Sequence, residues 1–385
     1  MDESTLRKKA IEMYLQSKSP SLICQELGKS RPWFYKWLKR YQADPAGQWF
    51  VEESRRPHTI HSKISPEMAE LVVNTRKQLE KTPYAQIGAV SIQWEIKKLG
   101  LEPPPVWTID RLLKKRDLAK PKKKERKRTN EYPGTGYPNV QQMDLVGPRY
   151  IKDFGRFYSL NIIDIDTHCA QINPIASKAA DGIVAAVIRF WQHYGIPDYL
   201  QMDNELSFRG SNRHPHSFGK LIRFCFSHGV CPIFIPLAEP WRNGVIERFN
   251  DTFEKKFYRS QFFKDLDDMR KKAPDFEAFH NTYHRYSAHN NRTPKEMFRA
   301  NKPIAFLAQD YELPERLPLE EGEIILFRFI RSNRKLDIFG ESFTVDKNLV
   351  YSYVKALINV EAQALKIYQD EKLIQEFYYP MPVDW

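Results

Sequence analysis

No run of about 18 or more apolar residues occurs in this 385-residue chain, so no membrane-spanning helix is expected. The opening residues, MDESTLRKKAIEMYL, hold no apolar signal core, so no secretory targeting is expected either. The four cysteines, Cys24, Cys169, Cys225 and Cys231, form no Cys-x-x-Cys pair. That argues against a zinc knuckle and against a disulfide framework, and a reducing cytoplasm fits best. His58 and His61 have no cysteine pair to complete a zinc site and read as loop residues. What the chain does have is enough apolar material for real cores, at 42% hydrophobic and 13% aromatic residues. Its length suits about two to four domains.

Acidic residues are scarce in one region only. Residues 1–130 hold 28 Lys or Arg against 15 Asp or Glu, an excess of 13, whereas residues 131–385 hold 32 against 33. A concentrated basic segment suggests nucleic acid, because each cation placed at a phosphate releases condensed counterions. The run PKKKERKR at 121–128 is equally what a solvated, self-repelling linker would show, and residues 120–134 are read as a basic linker.

The basic third reads as helices. Leu6, Ala10, Met13 and Tyr14 have helical spacing, SLICQEL follows a turn at Pro20, and Gly28 precedes SRPWFYKWLKRY. Ser30 is a natural N-cap and Pro32 fits a first turn. Residues 1–50 therefore form a helix-turn-helix pattern, with Arg31, Tyr35, Lys36 and Lys39 placed for bases or phosphates. Trp33 and Trp37 read as core. Residues 60–119 form a second helical unit whose last helix carries Arg111, Lys114 and Lys115. Two such units imply a long double-stranded DNA site; the alternative is a structural bundle plus an accessory.

The middle alternates differently. PNVQQMDLVGPRY (138–150) reads as a strand that ends at Gly147-Pro148, GRFYSLNIIDID as a second strand and HCAQINPIA as a third. A helix, a short strand running into Asp203, another helix and CPIFIP follow. This is an α/β domain with a mixed sheet. Asp144 lies inside an apolar strand, and a carboxylate there is costly to bury unpaired. No Lys or Arg lies within four residues of it, so a metal is the simplest partner. In EPWRNGVIERFN (239–250) the chain passes from loop to helix, and if Gly244 is the N-cap, Glu247 sits where a capping Glu would sit. At about 100° per residue, Val245, Phe249, Phe253 and Phe257 make one apolar stripe and Glu247 lies on the other face with Asn250 nearby. If that face looks into a cleft at the strand ends, three carboxylates converge there.

Asp144, Asp203-Asn204 and Glu247-x-x-Asn250, in this order, resemble the D, D, E set of insertion-sequence transposases with a retroviral-integrase-type core. FHNTYHRYSAHNNRTPKEMF (279–298) resembles the segment that closes that core. The resemblance implies a ribonuclease H-like fold over residues 135–305 and a DNA strand-transfer enzyme. It implies two Mg²⁺ or Mn²⁺ ions per active site, with Asp144, Asp203 and Glu247 as ligands. It also implies element ends and target DNA as partners, a homo-oligomer on DNA, accessory transposition proteins, and nucleoid association if the source is bacterial. Two departures stand out. Forty-three residues separate Asp203 from Glu247, with FRGSNRHPHSF (208–218) read as an insertion, and Glu205 adds a competing carboxylate. Asp164 matches a position often acidic in the family and is read not as a ligand but as a structural residue or one that supports the ligands. Asn204, Arg242, Arg248, Asn250 and Lys255 are further candidates for DNA contact, with Lys256 and Arg259 continuing the helix. The zinc-binding module of retroviral relatives is absent.

The tail, residues 318–385, holds short β-rich segments and reads as a small all-β SH3-like barrel. The leading functional reading is a transposase or integrase. The alternatives are a catalytically silent, domesticated DNA-binding regulator, which needs no acids, and a plain ribonuclease H-like nuclease, which needs no helix-turn-helix units.

Overall fold

The computed structural model describes residues 2–53, 64–119, 136–213, 216–301 and 305–382. The run 121–128, the linker 120–134, His58 and His61 lie outside the described residues. The chain divides into two compact units, Met1–Ser65 and Pro66–Trp385. Among the described residues no helix is long and apolar enough to cross a membrane.

The first unit has three helices, α1 (Glu3–Leu15), α2 (Pro20–Leu27) and α3 (Arg31–Ala43). Gly28 ends α2 at φ +63°, a left-handed conformation that glycine adopts without a Cβ penalty. Ser30 caps α3, its hydroxyl accepting from the Trp33 N–H. Ala10, Ile11, Ile23, Phe34 and Leu38 fill the core. Trp37 is buried and Trp33 half-buried, as the helical spacing implied. The Arg7 guanidinium lies 4.0 Å from the Trp37 ring centroid and donates to the Phe50 carbonyl, which ties the chain beyond α3 back to α1. Arg31, Tyr35, Lys36 and Lys39 are all exposed on α3.

The second unit opens with α4 (Pro66–Lys81), α5 (Ala89–Lys98) and α6 (Val106–Lys115), packed through Val72, Ile92, Ile96, Ile109 and Leu113. Next come β1 (Val140–Ile151), β2 (Gly155–Asp164), β3 (Ala170–Ile175), α7 (Ala180–Tyr194), β4 (Tyr199–Met202), α8 (Leu206–Arg209), α9 (Lys220–Phe226) and β5 (Cys231–Phe234). Then follow α10 (Gly244–Phe253), α11 (Leu266–Tyr283), α12 (Pro294–Ala300), β6 (Glu323–Phe329), β7 (Lys335–Ile338), β8 (Glu341–Thr344), β9 (Tyr353–Asn359), β10 (Ala364–Gln369) and β11 (Lys372–Tyr378). One sheet runs β11-β10-β9-β6-β5-β4-β1-β2-β3. β1, β2 and β3 pair antiparallel, while β4 and β5 run parallel to β1. That is a mixed sheet, as the order of strands and helices implied.

Three local expectations change. The first strand does not stop at Gly147-Pro148; its register with β2 shifts between Val146 and Arg149, and pairing resumes to Ile151. A side chain at Gly147 would press on the Phe157 carbonyl and the Tyr158 ring, so the bulge needs glycine. The N-cap of α10 is Asn243, and Gly244 is the first helical residue. The buried stripe of that helix is Ile246, Phe249 and Phe253, with Val245 only half-buried. A wider turn, Glu254–Tyr258, carries Phe257 into the same core.

The tail is a larger correction. It does not stand apart as a small barrel. β6 pairs parallel with β5, matching Ile233 to Ile325 and Phe234 to Leu326, and β9, β10 and β11 continue the same sheet. No pairing of β11 beyond β10 closes a barrel among the described residues. The reason is burial on both faces. Ile324 and Leu326 join the large core with Phe234, and Ile325 and Phe327 pack with Ile233 on the other side. An uninterrupted apolar run such as IILF is what an interior parallel strand requires.

Candidate active site

Strand register brings two of the three acids close together, and a helix supplies the third. β1 and β4 are parallel, with Gln142 opposite Gln201. Two residues further along each strand direction stand Asp144 and Asp203. Alternation puts Gln142 and Asp144 on one face of β1, and Asp203 is the first residue beyond β4, two after Gln201. Glu247 comes from the first turn of α10.

That turn is clamped over the strand ends by amides. The Ile246 N–H donates to Gln142 Oε1 (3.0 Å), and Asn243 Nδ2 donates to the Met143 carbonyl (3.0 Å). Gln201 Nε2 donates to the Arg242 carbonyl and to Asn243 Oδ1 (3.1 and 3.2 Å). One of the helix's unsatisfied N–H groups is thereby met by a buried side chain from the sheet. Sequence reasoning missed Gln142, Gln201 and Asn243. The available signal was the repeated Gln-x-Asp at 142–144 and 201–203.

The electrostatics agree that the carboxylates are neighbours. Burial first, and then the Asp203 carboxylate, push the Asp144 carboxyl up to about 6, and Glu247 acts in the same direction. The Leu145 N–H and the Asn250 amide oppose this. Asn250 Nδ2 donates to Asp144 Oδ2 at 2.6 Å. Burial also raises Asp203, Glu205 adds to this, and the Glu205 N–H and Lys178 pull it back. Glu205, the extra acid, is held by Lys178 Nζ at 2.8 Å.

The remaining candidates separate by environment. Asn204 donates to the Ile235 carbonyl (2.7 Å) and accepts from Arg328 Nη2 (2.6 Å), so both ends of its amide tie β4 to β5 and β6. Arg242 donates to Glu239 (2.9 Å) and to the Tyr353 hydroxyl (3.2 Å). Lys255 donates to Asp251 (2.6 Å), and Arg248 is exposed. Arg111, Lys114 and Lys115 lie on the exposed face of α6. Asp164 is buried and accepts from the Thr167 N–H and hydroxyl, which closes the β2–β3 turn.

The donor set is all carboxylate oxygen, and each of the three acids is half-buried, which fits a hard divalent cation in chemistry. Its geometry is that of neighbours, since no three His, Cys, Asp or Glu side chains among the described residues close on a common point as a ligand cage.

A family profile described as an integrase core domain matches residues 228–294, the stretch that carries β5, α10 and Glu247. A second profile, a winged helix-turn-helix, matches residues 7–70. Asp144 and Asp203 precede the matched core segment. Among solved structures, the chain is similar to the HTLV-2 integrase catalytic core domain in complex with magnesium, at 13% identity over 41% of this chain and 95% of that one, with TM-score 0.31. It is also similar to a simian T-cell lymphotropic virus intasome in complex with PP2A regulatory subunit B56 gamma, at 12% identity over 76% and 97%, with TM-score 0.37. No curated protein matches the chain.

Proposed function

We propose that this protein is a DNA transposase or integrase that frees a 3′-OH at an element end and joins it to target DNA. The observation that supports the reading is that Asp203 and Glu247 both lie close enough to Asp144 to raise its carboxyl, while the Asn250 amide donates to Asp144 and the Glu205 N–H to Asp203. These three acids would hold two Mg²⁺ or Mn²⁺ ions, which supply charge neutralisation at phosphorus and activation of an oxygen nucleophile. The chain's own part is to fix where those charges sit. α10 is rigidly clamped, so Glu247 enters the site from a defined direction, and Asn250 turns Asp144.

In the first step water attacks phosphorus, the bond to the 3′ oxygen breaks, and that oxygen leaves as the 3′-OH. In the second step this hydroxyl attacks a target phosphodiester; one phosphorus–oxygen bond forms and one breaks. No protein side chain becomes covalently attached. Residues 1–50 and 60–119 act as the two DNA-binding units, with Arg31, Tyr35, Lys36 and Lys39 on one and Arg111, Lys114 and Lys115 on the other. The exposure of all seven supports this reading. Joining two ends calls for a multimer on DNA.

The test is a duplex containing the DNA that flanks the protein's own gene, incubated with Mg²⁺ or Mn²⁺ beside Glu247→Gln. Nicking at a fixed end and joining to a second DNA are expected from the wild type alone. Equal end binding by both proteins with no nicking would replace this reading with a DNA-binding regulator.

A further inference from the structure

The strand β2 carries two polar residues where its neighbours predict apolar ones. Phe157 and Ile163, on the same face, pack in the core beneath α10 with Ile246, Phe249 and Phe253. Between them on that face stand Ser159 and Asn161, both fully buried. Burying two such groups costs free energy unless their hydrogen bonds are met, and apolar residues of similar shape would fill the space at no such cost. Their hydrogen bonds are met by one another and by the site. Ser159 Oγ donates to Asn161 Oδ1 (2.7 Å), Asn161 Nδ2 donates to Asn250 Oδ1 (2.8 Å), and Asn250 Nδ2 donates to Asp144 Oδ2 (2.6 Å). Asn161 is also the direct cross-strand partner of Asp144 in the β1–β2 ladder.

This chain of bonds has a polarity. The two ends of an amide are nearly the same in shape, so only its partners decide which end faces which way. An ionised carboxylate accepts and cannot donate. Asn250 must therefore turn its Nδ2 to Asp144, and this leaves its Oδ1 needing a donor inside the core. Asn161 supplies that donor, and the rotatable Ser159 hydroxyl completes the line. Every donor points toward Asp144.

We propose that Asn161, backed by Ser159, is a positioning residue for Asp144: it acts through Asn250 and fixes the carboxylate for divalent-ion binding. The inference rests on the proposed function of the site. Residues that orient a metal ligand typically change metal affinity about 10- to 100-fold when removed.

The experiment measures Mn²⁺ uptake by the full-length protein with electron paramagnetic resonance, counting the sites that Asp144→Asn abolishes. Asn161→Leu should weaken those sites by about tenfold, and Ser159→Ala should weaken them less. Raising Mn²⁺ should restore strand transfer by Asn161→Leu, so the change appears in the Mn²⁺ half-saturation and not in the maximal rate. A purely structural role would lower thermal stability without that shift. In an Asn250→Leu background, Asn161→Leu should produce no further loss, because its effect passes through Asn250. Wild-type affinity in Asn161→Leu, or an equal loss with and without Asn250, overturns the proposal while leaving the active-site reading intact. If Asn161→Leu does not fold, Ser159→Ala decides: wild-type affinity there overturns the proposal. No Mn²⁺ uptake by the wild type overturns both.

Discussion

Replacing Asp144 by asparagine should stabilise the metal-free protein, by an amount set by pH. The Asp144 carboxyl is pushed from 3.8 to about 6, chiefly by burial and then by Asp203. A shift of roughly two units corresponds to about 3 kcal/mol of preference for the neutral form. Below about pH 4 the carboxyl is protonated in both the folded and unfolded chains and costs nothing. Between about pH 4 and 6 the folded chain still holds a proton that the unfolded chain has released, so stability falls as pH rises. Above about pH 6 both forms are ionised and the whole cost of about 3 kcal/mol remains. The substituted amide would keep an oxygen to accept from Asn250 and would carry no charge. The gain from Asp144→Asn should thus be near zero at pH 4 and approach about 3 kcal/mol at pH 7. Urea melts in the presence of a chelator would measure it, using the fluorescence of Trp191, which is fully buried in the same core as Met143 of β1. Added Mg²⁺ should reverse the order, since an ion that binds only the folded wild type stabilises it by mass action. An equal effect at pH 4 and 7, or a loss at pH 7, would refute the claim that this carboxylate is buried among like charges.

Three other outcomes follow from the packing. Burial pushes His168 and His284 down to about 4, so each should cost stability as pH falls from about 6.5, where the unfolded imidazole takes a proton that the folded one refuses. His284→Phe should flatten the loss between pH 6.5 and 4 in urea melts, and an unchanged pH profile would count against it. Tyr84 packs edge-on against Phe276 and Phe279 at 5.5 and 6.0 Å between ring centroids. Tyr84→Ala should cost about 3 kcal/mol and speed hydrogen exchange in α4–α6, whereas unchanged exchange would mean that the helices hold to the core without it. Gly322 sits at φ +133°, and a Cβ there would overlap the Phe226 ring. Gly322→Ala should cost about 3 kcal/mol or more and lower the melting temperature of the core and tail together, because β6 shares that core; a melting temperature equal to the wild type's would refute the close approach.

Much of the local structure was legible in the residues. Ser30 and Gly28 mark a helix start and a helix end through side-chain and backbone chemistry that acts within a few residues. The apolar spacing of Phe249 and Phe253 marks one face of α10, and the alternation of helices and strands marks the α/β core. The fate of the tail was not legible, because EIILF is compatible with an outer barrel or an inner strand until its partner is known. β5 lies about ninety residues earlier in the chain, and no local pattern names it. The boundary errors, at Gly147-Pro148 and Gly244, arose where a bulge or a side chain from another strand overrode the local signal.

The same division holds for the candidate site. The sequence by itself determined the residue types: carboxylates at Asp144, Asp203 and Glu247, an amide one turn beyond Glu247, and a basic helical N-terminal third. These are properties of the chain at each position and of spacing along one element. Only the tertiary structure decided that Gln142 and Gln201 level the two strand acids, that Asn243 clamps α10, and that Asn250 turns inward to Asp144 with Asn161 behind it. It also decided that the Asn204 and Arg242 side chains are bonded within the protein. Apart from the Arg242–Glu239 pair, three positions apart, each of those facts joins residues about thirty to more than a hundred positions apart in the chain. The raised Asp144 carboxyl has the same origin, since burial first and the neighbouring Asp203 charge second raise it, and both depend on distance in space and not along the chain.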